Sequence, residues 1–401
     1  MTNNYILVLN CGSSSLKFSL LNPKTGASLL SGLAECLLTE QASITIKYEG
    51  NKQQTSIPTP FDHQSAIACL VQYLQQFELV SNISAIGHRV VHGGEHYCQP
   101  TLINNDVKTT IANLARLAPL HNPANLIGIK AAESAFPHLA QVAVFDTAFH
   151  QTMPEKAYIY GIPYDLYQEH GIRRYGFHGT SHYFVAQQAA KLVDKPIAQC
   201  SFISAHLGNG CSVAAIKNGK SVDTSLGMTP LEGVMMGTRS GDLDAGIIFH
   251  LINQLNYTVD EVDNMLNKQS GLLGVSGISN DCRAIETAYV EDDNPRAGLA
   301  LEVFCYRIAK AIASFTASLT SLDGIIFTGG IGENSDLIRE KILGQLGLLN
   351  FSTNPQANRE MRFGRSGLIT NEESRAAWVI ATNEEWVIAE QTQQLLNQGA
   401  K

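Results

Sequence analysis

The sequence has little charge, no closely paired cysteines and no long apolar run. Only 16% of its 401 residues are charged, and acidic residues outnumber basic ones to give a net charge of −8. This balance argues against a nucleic-acid-binding protein, which presents a basic surface. No run of about 18 apolar residues could cross a bilayer. We therefore expect neither a nucleic acid nor a membrane as a partner, and any anionic ligand must be held by local positive charge.

The eight cysteines are scattered singly, with no CxxC pair. In a chain of this size that pattern is typical of reduced thiols, so we expect a cytoplasmic protein without a disulfide framework. The apolar run Tyr5, Ile6, Leu7, Val8 and Leu9 has no basic segment before it, unlike a signal peptide. The length favours two domains.

Residues 5–21, YILVLNCGSSSLKFSLL, predict two strands joined by a Gly/Ser turn. The second half alternates, with Leu16, Phe18 and Leu20 against Lys17 and Ser19, and a period of two indicates a strand. The common nucleotide-binding loops run from a strand into a helix. The sequence therefore indicates a phosphate-binding turn of a different kind, which joins two strands at the tip of a hairpin.

A second segment repeats this organisation about 200 residues later. SFISAHL at residues 201–207, GNG at 208–210 and CSVAAI at 211–216 predict another strand, turn and strand, followed by a third strand at 221–225. Two such units favour an internal duplication over a chance resemblance between β-meanders. A duplicated protein would carry a cleft between its halves, where ligands usually bind.

Helical patterns occupy residues 65–77, 122–136, 260–267 and 297–322. We predict a first domain formed by residues 1–150 and a C-terminal helix at 386–401, and a second domain formed by residues 151–385. The long pattern at 297–322 has two interpretations, either the interface of a homodimer or a core helix of the second domain.

The segment GGIGENS at residues 329–335 follows a predicted buried strand at 323–328. Glycines let backbone N–H groups approach a ligand, and a helix N-terminus favours anions. The alternative is an ordinary strand–helix turn capped by Asn334 or Ser335. Three Gly-rich turns after three apolar strands together favour a nucleotide site.

Arg89 and Arg239 each lie near glycines, in HRVVHGG and GTRSGD. A guanidinium in such a setting suits two-pronged capture of a carboxylate or phosphate. A surface salt bridge is the alternative for either residue.

The twelve histidines raise the possibility of a metal site, but glycines interrupt their helical spacings and no HExxH occurs. His178, between Gly176 and Gly179, is better interpreted as a donor to an anion in a tight loop. His121 precedes a predicted helix and could equally be a structural cap.

Two acidic positions follow predicted strands. Asp146 ends an apolar strand in AVFDTAF at residues 143–149, and either a site carboxylate or a turn or cap aspartate fits there. Glu384 and Glu385 follow TN and are either a helix-start pair, which is common, or a group associated with magnesium.

Eight motifs, taken in order across nearly the whole chain, resemble acetate kinases, the acetate/propionate kinase family of the actin-like ATPase superfamily. They are NCGSSSLKF at 10–18, HRVVHGG at 88–94, FDTAFH at 145–150, GFHGTSH at 176–182, AHLGNG at 205–210, TPLEGVMMGTRSGDLD at 229–244, FTGGIGENS at 327–335 and TNEE at 382–385. The departures are Val234-Met235-Met236 and Asn280, neither of which removes a catalytic group.

The resemblance implies an α/β protein with a two-domain actin-like/ribonuclease H-like fold, a duplicated βββαβαβα core and an interdomain active-site cleft. It implies reversible transfer of the γ-phosphoryl group of ATP to acetate, with Mg²⁺ or Mn²⁺, in a homodimeric enzyme. Catalytic roles would fall to Arg89, Asp146, His178 and Arg239. Asn10 and Glu384 would serve the metal.

The remaining positions implied by the resemblance bind the substrates. The acyl group would be met by Arg89, Val91, Leu120, His121, Phe177 and Pro230. ATP would be held by Lys17, His206, Leu207, Gly208, Asn209, Gly210, Asp281, Cys282, Arg283, Gly330, Ile331, Gly332, Glu333 and Asn334.

The chemistry of phosphoryl transfer favours a direct in-line route in a closed cleft, because catalysis is mostly positioning and charge stabilisation. Acetate is ionised at neutral pH, so there is no proton for Asp146 to remove. We expect Asp146 to orient Arg239, His178 or the waters of the metal. The alternative function is a propionate or other short-chain acyl kinase, although Val91 should crowd longer acids.

Overall fold

The computed structural model describes residues 4–119 and 121–399. Its strands, numbered along the chain, are β1 (Tyr5–Cys11), β2 (Leu16–Leu21), β3 (Ser28–Glu35), β4 (Ser43–Tyr48), β5 (Asn51–Ser56), β6 (Ile83–Val90), β7 (Thr101–Leu102), β8 (Ala140–Phe145), β9 (Ser201–Leu207), β10 (Cys211–Lys217), β11 (Lys220–Thr224), β12 (Gly324–Thr328), β13 (Gly367–Leu368) and β14 (Ala376–Val379).

The α-helices in these residues are α1 (His63–Gln76), α2 (Asn105–Asn113), α3 (Asn122–Ala135), α4 (Glu155–Tyr158), α5 (Asp165–His170), α6 (Gly179–Leu192), α7 (Gly246–Leu255), α8 (Val259–Lys268), α9 (Gly271–Ser276), α10 (Cys282–Val290), α11 (Pro295–Phe315), α12 (Gly329–Asn334), α13 (Asp336–Gly344), α14 (Pro355–Glu360) and α15 (Glu384–Gly399).

The chain divides into two compact units. The first contains the described residues up to Phe149 and those from Asn383 onward, and the second runs from His150 to Thr382. The C-terminal helix α15 therefore belongs to the first unit, although it follows the whole of the second unit in the sequence.

The first unit is built on an eight-stranded sheet in the order β5-β4-β3-β2-β1-β6-β8-β7. Strands β1 to β5 form an antiparallel meander, and β1, β6 and β8 run parallel. The predicted hairpin is confirmed, because β1 pairs with β2 in the register Asn10 opposite Lys17. The turn between these strands closes with a hydrogen bond of 2.9 Å from Gly12 N–H to the Ser15 carbonyl.

Strand β1 is apolar on both sides because the sheet is covered on both faces. Leu7 and Leu9 pack in a cluster with residues of α1 and α3. Ile6 and Val8 point the other way and pack with Ile388 and Ala389 of α15. Helix α15 is thus the cover for one face of the first sheet.

The second unit is built on a six-stranded sheet in the order β11-β10-β9-β12-β14-β13. Strands β9, β10 and β11 form an antiparallel meander, while β9, β12 and β14 run parallel. Helices α6 and α11 both pack on strand β9.

The two sheets share one plan. The order β3-β2-β1-β6-β8 and the order β11-β10-β9-β12-β14 have the same strand directions. In each sheet a short antiparallel strand, β7 or β13, completes the parallel edge. The predicted duplication and the predicted α/β fold of the actin-like, ribonuclease H-like type are confirmed.

Helix α11 is shorter than the predicted helix at residues 297–322, because it ends at Phe315 and a 3₁₀ turn follows. Its apolar side chains lie in the core of the second unit, including Leu301, Phe304 and Ile308. The core-helix interpretation therefore describes it. The predicted turn after β12 is itself a short helix, α12, and Ser335 then caps α13 through a bond from Ile338 N–H.

Helix α7 is the contrasting case, because none of its side chains is buried although most of them are apolar. Phe249 is 64% exposed, and Ile247 and Leu255 are also exposed. Among the described residues, no helix is both long and apolar enough to cross a membrane.

Candidate functional site

In the first unit, the carboxyl ends of β6 and β8 bring Arg89 and Asp146 together. The strands are parallel with Val90 opposite Phe145, and Asp146 N–H donates to the Val90 carbonyl at 2.9 Å. Arg89 Nη2 donates to Asp146 Oδ2 at 2.7 Å, and the Asp146 side chain is only 1% exposed. From the sequence we expected Asp146 to orient Arg239, His178 or the waters of a metal ion. In the structure its carboxylate pairs with Arg89.

Neighbouring carboxylates favour the protonated, positively charged form of Arg89. Burial lowers the pKa of Arg89, but the carboxylates of Asp146 and Glu384 more than offset this and the pKa is raised overall. Arg89 Nη1 also donates to Asn10 Oδ1 at 3.4 Å. Its Nε is buried and has no hydrogen-bond partner among the described residues, so one donor of the guanidinium fork is left for a ligand.

Glu384 begins helix α15, where the helix dipole favours an acidic side chain. Burial and the neighbouring Asp146 carboxylate nevertheless raise the pKa of Glu384 to about 7, and Arg89 and Lys17 oppose that rise. The next residue, Glu385, pairs with Lys17 at 2.8 Å and accepts from Ser19 Oγ at 2.5 Å. The carboxylates of Glu384 and Asp146 lie close enough to repel each other. Such repulsion is typical of a site that attracts a cation.

Of the other predicted acyl-pocket residues of the first unit, the structure describes Val91 and His121. Val91 is buried, and its N–H donates to Asn125 Oδ1 at 3.0 Å. His121 is the N-cap residue of α3. Leu120 lies outside the described residues.

In the second unit, His178 stands at the N-cap of α6 with a left-handed backbone, at a φ of 56°. Its Nδ1 lies 2.9 Å from Ser212 Oγ. Its ring stacks on His206, with centroids 4.3 Å apart, and His206 Nδ1 lies 2.8 Å from Ser181 Oγ. A left-handed histidine is uncommon and indicates that the surroundings fix the ring position. The preceding residue, Phe177, is buried.

Arg239 and His178 meet at Gly210. A Cβ on Gly210 would lie 3.4 Å from Arg239 Nη1 and 3.6 Å from His178 Nε2. Arg239 Nη1 donates to the Pro230 carbonyl at 3.1 Å, and burial lowers the pKa of Arg239. The GNG turn, which has no side chain at Gly210, is thus flanked by two nitrogen-bearing side chains suited to anionic oxygens.

A cavity of about 670 Å³ begins at the same turn. The predicted nucleotide residues that line it are Gly208, Asn209, Asp281, Cys282, Arg283, Gly330, Ile331 and Asn334. Arg283 also pairs with Asp281 at 2.8 Å. The cavity is large enough for a drug-sized ligand.

The other predicted nucleotide residues of the second unit do not line this cavity. Leu207 and Gly332 are buried beneath it. Glu333 turns back toward the backbone, where its Oε1 accepts from Gly329 N–H at 3.0 Å and Thr382 N–H at 3.1 Å. Gly329 has a φ of +75°, and a Cβ there would lie 2.7 Å from the Leu207 carbonyl oxygen. Glu333 and Gly329 therefore shape the loop.

Five residues that line the cavity were not predicted from the sequence to bind the nucleotide, which are Asn280, Glu286, Ser335, Arg362 and Phe363. Phe363 is 81% exposed and has a left-handed φ of 54°. Its N–H donates to Asn334 Oδ1 at 3.0 Å, and Arg362 pairs with Asp336 at 2.9 Å. An aromatic residue between arginine and glycine, in a polar stretch, was the available signal.

The described residues contain no cluster of three or more His, Cys, Asp or Glu side chains arranged to hold a metal ion. His182, the last residue of GFHGTSH, lies between Ser204 and Ser212.

Comparison with known proteins gives one consistent result. The sequence profile described as the Acetokinase family matches residues 5–390. An acetate kinase from Shewanella sp. (strain W3-18-1) is 56% identical over 99% of this chain and 100% of its own length. A propionate kinase structure from Francisella tularensis subsp. tularensis SCHU S4 has a TM-score of 0.93 at 46% identity, covering 98% of this chain and 99% of that one. Porphyromonas gingivalis acetate kinase has a TM-score of 0.93 at 42% identity, covering 98% and 100%.

Proposed function

Because this chain belongs to the acetokinase family, we propose that it catalyses the reversible transfer of the γ-phosphoryl group of ATP to acetate, giving acetyl phosphate and ADP. The observation that carries the proposal is the position of His178 Nε2 and Arg239 Nη1 at Gly210, where the cavity of about 670 Å³ begins at Gly208. A nucleotide in this cavity would direct its phosphates toward these two side chains.

The transfer needs positioned charge more than covalent chemistry. The transferring phosphoryl group spreads its charge over three equatorial oxygens, and preorganised donors that meet this charge lower the barrier. His178 and Arg239 supply such donors in the second unit. We therefore propose direct in-line attack of the acetate oxygen on the γ-phosphorus, with ADP leaving and no phosphoenzyme.

Arg89 is the proposed ligand of the acetate carboxylate. Asp146 holds one end of its guanidinium, and the buried Nε–H remains available to donate to the acetate carboxylate. Since acetate is already ionised at neutral pH, the reaction needs no general base. Asp146 acts by positioning Arg89.

The residues near Glu384 fit a magnesium ion. Mg²⁺ is usually held by one or two carboxylates together with substrate phosphates and water, and the ionised forms of Asp146 and Glu384 repel each other. Asn10, whose Oδ1 lies beside Arg89, would contribute a neutral oxygen ligand. When bound, the ion would neutralise phosphate charge. The same donors also suit Mn²⁺.

Acetate is favoured over longer acids because the proposed acyl pocket includes the buried Val91. One methylene group is worth only about 1–3 kcal/mol in such a pocket. The similarity to a propionate kinase structure makes propionate the second candidate substrate.

A coupled assay of ADP release with acetate, propionate and butyrate tests the activity and the acyl preference together. We expect ADP release that depends on both ATP and acetate, with turnover falling along the series. ADP release that is equal with and without any acyl acid would contradict the proposal. Transfer from a chiral γ-phosphoryl group tests the route separately, and net retention of configuration would rule out a single direct displacement.

We further propose a homodimer that uses the exposed apolar face of α7, since exposed apolar patches mark protein interfaces. Phe249 and Leu255 are its most exposed apolar residues. The eight cysteines are all free thiols, which supports a reducing compartment such as the cytoplasm.

A further inference from the structure

A buried line of hydrogen bonds runs from strand β9 to His178. Ser204 Oγ lies 2.5 Å from His182 Nδ1, and His182 Nε2 lies 2.7 Å from Ser212 Oγ. Ser212 Oγ in turn lies 2.9 Å from His178 Nδ1. The side chains of Ser204, His182 and Ser212 are fully buried, at 0% exposure. Among the described residues, their side-chain hydrogen bonds are made to one another and to His178.

His182 is neutral in this environment. Burial lowers its pKa well below 6.5, and the neighbouring His150 and His206 lower it further. A neutral imidazole carries one N–H and one bare nitrogen. One ring nitrogen of His182 therefore donates to a serine, and the other accepts from a serine.

The hydrogen bond with Ser204 determines which ring nitrogen of His182 carries the proton. Among the described residues, the hydroxyl of Ser204 has a single hydrogen-bond partner, His182 Nδ1. If His182 donated from Nδ1, the Ser204 hydrogen would have no acceptor in a buried site, which is costly. Ser204 therefore donates to Nδ1, and the proton of His182 resides on Nε2.

The same logic carries through to His178. His182 Nε2–H donates to Ser212 Oγ, which leaves the Ser212 hydrogen free to donate to His178 Nδ1. A neutral histidine that accepts at Nδ1 must carry its proton on Nε2, because the hydrogen bond at one nitrogen determines the state of the other.

We propose that Ser204, His182 and Ser212 form a positioning relay that fixes His178 in the Nε2–H tautomer. This tautomer places a hydrogen-bond donor beside Gly210, next to Arg239 Nη1. The relay deepens the proposed function and rests on it, because the donor is useful where an anionic phosphoryl group is transferred. The three relay residues are positioning residues, and His178 is the residue that meets the substrate.

The tautomer can be measured directly in the full-length protein. Long-range ¹H–¹⁵N correlation spectra of protein labelled at its histidines distinguish protonated from bare ring nitrogens, and the His178 signals are those missing from His178→Gln. We expect Nε2 protonated and Nδ1 bare. A bare Nε2 in the resting enzyme would overturn the proposal. This readout does not depend on activity, so it stands apart from any failure of the kinase assay.

Three variants connect the tautomer to turnover. Ser212→Ala removes the contact with His178, and we expect kcat to fall by about tenfold or more with KM for ATP nearly unchanged, as for other groups that orient a functional histidine. Ser204→Ala removes only the far donor, so we expect mixed His178 tautomers and a smaller loss of kcat. Ser201→Ala, on the same strand β9 and also buried, is the matched control. It should leave kcat and the His178 tautomer unchanged.

The pattern of results decides the matter. If Ser212→Ala fails to fold, Ser204→Ala and the wild-type spectrum still test the relay. Wild-type kcat together with an unaltered His178 spectrum in Ser204→Ala would refute the proposed polarity of the relay.

Discussion

The effect of Glu384 on the stability of the first unit can be worked out from its surroundings. Its pKa is raised from 4.5 to about 7 by burial and by Asp146. One pKa unit corresponds to about 1.4 kcal/mol, so the ionised carboxylate is disfavoured in the folded protein by roughly 3 kcal/mol. The side chain keeps partial contact with solvent, and screening leaves about 2 kcal/mol. In the absence of a divalent ion, Glu384→Gln should therefore stabilise the first unit at alkaline pH.

The sign follows from proton binding. A folded-state pKa above the unfolded value means that the folded protein holds the proton more tightly, so this group favours folding fully below about pH 4.5. The contribution is lost as the pH rises toward 7. The advantage of Glu384→Gln over wild type should consequently grow by about 1–2 kcal/mol between about pH 5.5 and about pH 8.5.

Urea unfolding followed by tryptophan fluorescence measures this difference. The chain has two tryptophans, and in a Trp378→Phe background the signal comes from Trp386, which lies in the first unit and donates to the Pro23 carbonyl at 3.1 Å. Glu390→Gln, on the same helix, is the control and should show no such pH-dependent gain. Equal pH dependence of unfolding in wild type and Glu384→Gln would refute the assigned burial and repulsion.

Substitutions at four further positions test other parts of the protein. Arg239→Lys keeps the charge but loses the planar fork, so kcat in the steady-state assay should fall at least about tenfold, and near-normal turnover would contradict its role. Asp146→Asn should raise KM for acetate and alter the magnesium dependence, whereas a shifted pH profile alone would restore a general-base role. Phe363→Ala should raise KM for ATP about fivefold or more with kcat unchanged, because stacking on a base is worth about 1–3 kcal/mol, and Phe363→Trp should retain wild-type KM. Phe249→Asp should convert the proposed dimer to monomers in sedimentation velocity, and an unchanged sedimentation coefficient would exclude α7 as the interface.

Local sequence patterns predicted the strands and the duplication because each meander carries its own periodicity and its own turn. The hairpin at Asn10 and Lys17 and its counterpart at β9 and β10 are examples. The end of α11 at Phe315 was not predicted, since the apolar pattern continues beyond the point where the helix stops.

The candidate site was predicted less completely, because the partners of its residues are distant in the sequence. The contact between Arg89 and Asp146 depends on the register of β6 and β8, which no local motif reveals. Phe363 is connected to the cavity of the second unit through Asn334, 29 residues earlier in the sequence. The serines around His182 carry no motif at all, and only the fold makes them a relay.

Helix α15 has a consequence for biosynthesis. It is synthesised after the whole of the second unit, and it covers the face of the first sheet that contains Ile6 and Val8. While the second unit is being translated, that face stays exposed to the chaperones and proteases of the cell. Nascent chains that stop before Asn383 leave an amino-terminal half with an open apolar surface, so premature termination late in the message is expected to yield an aggregating product instead of a working half.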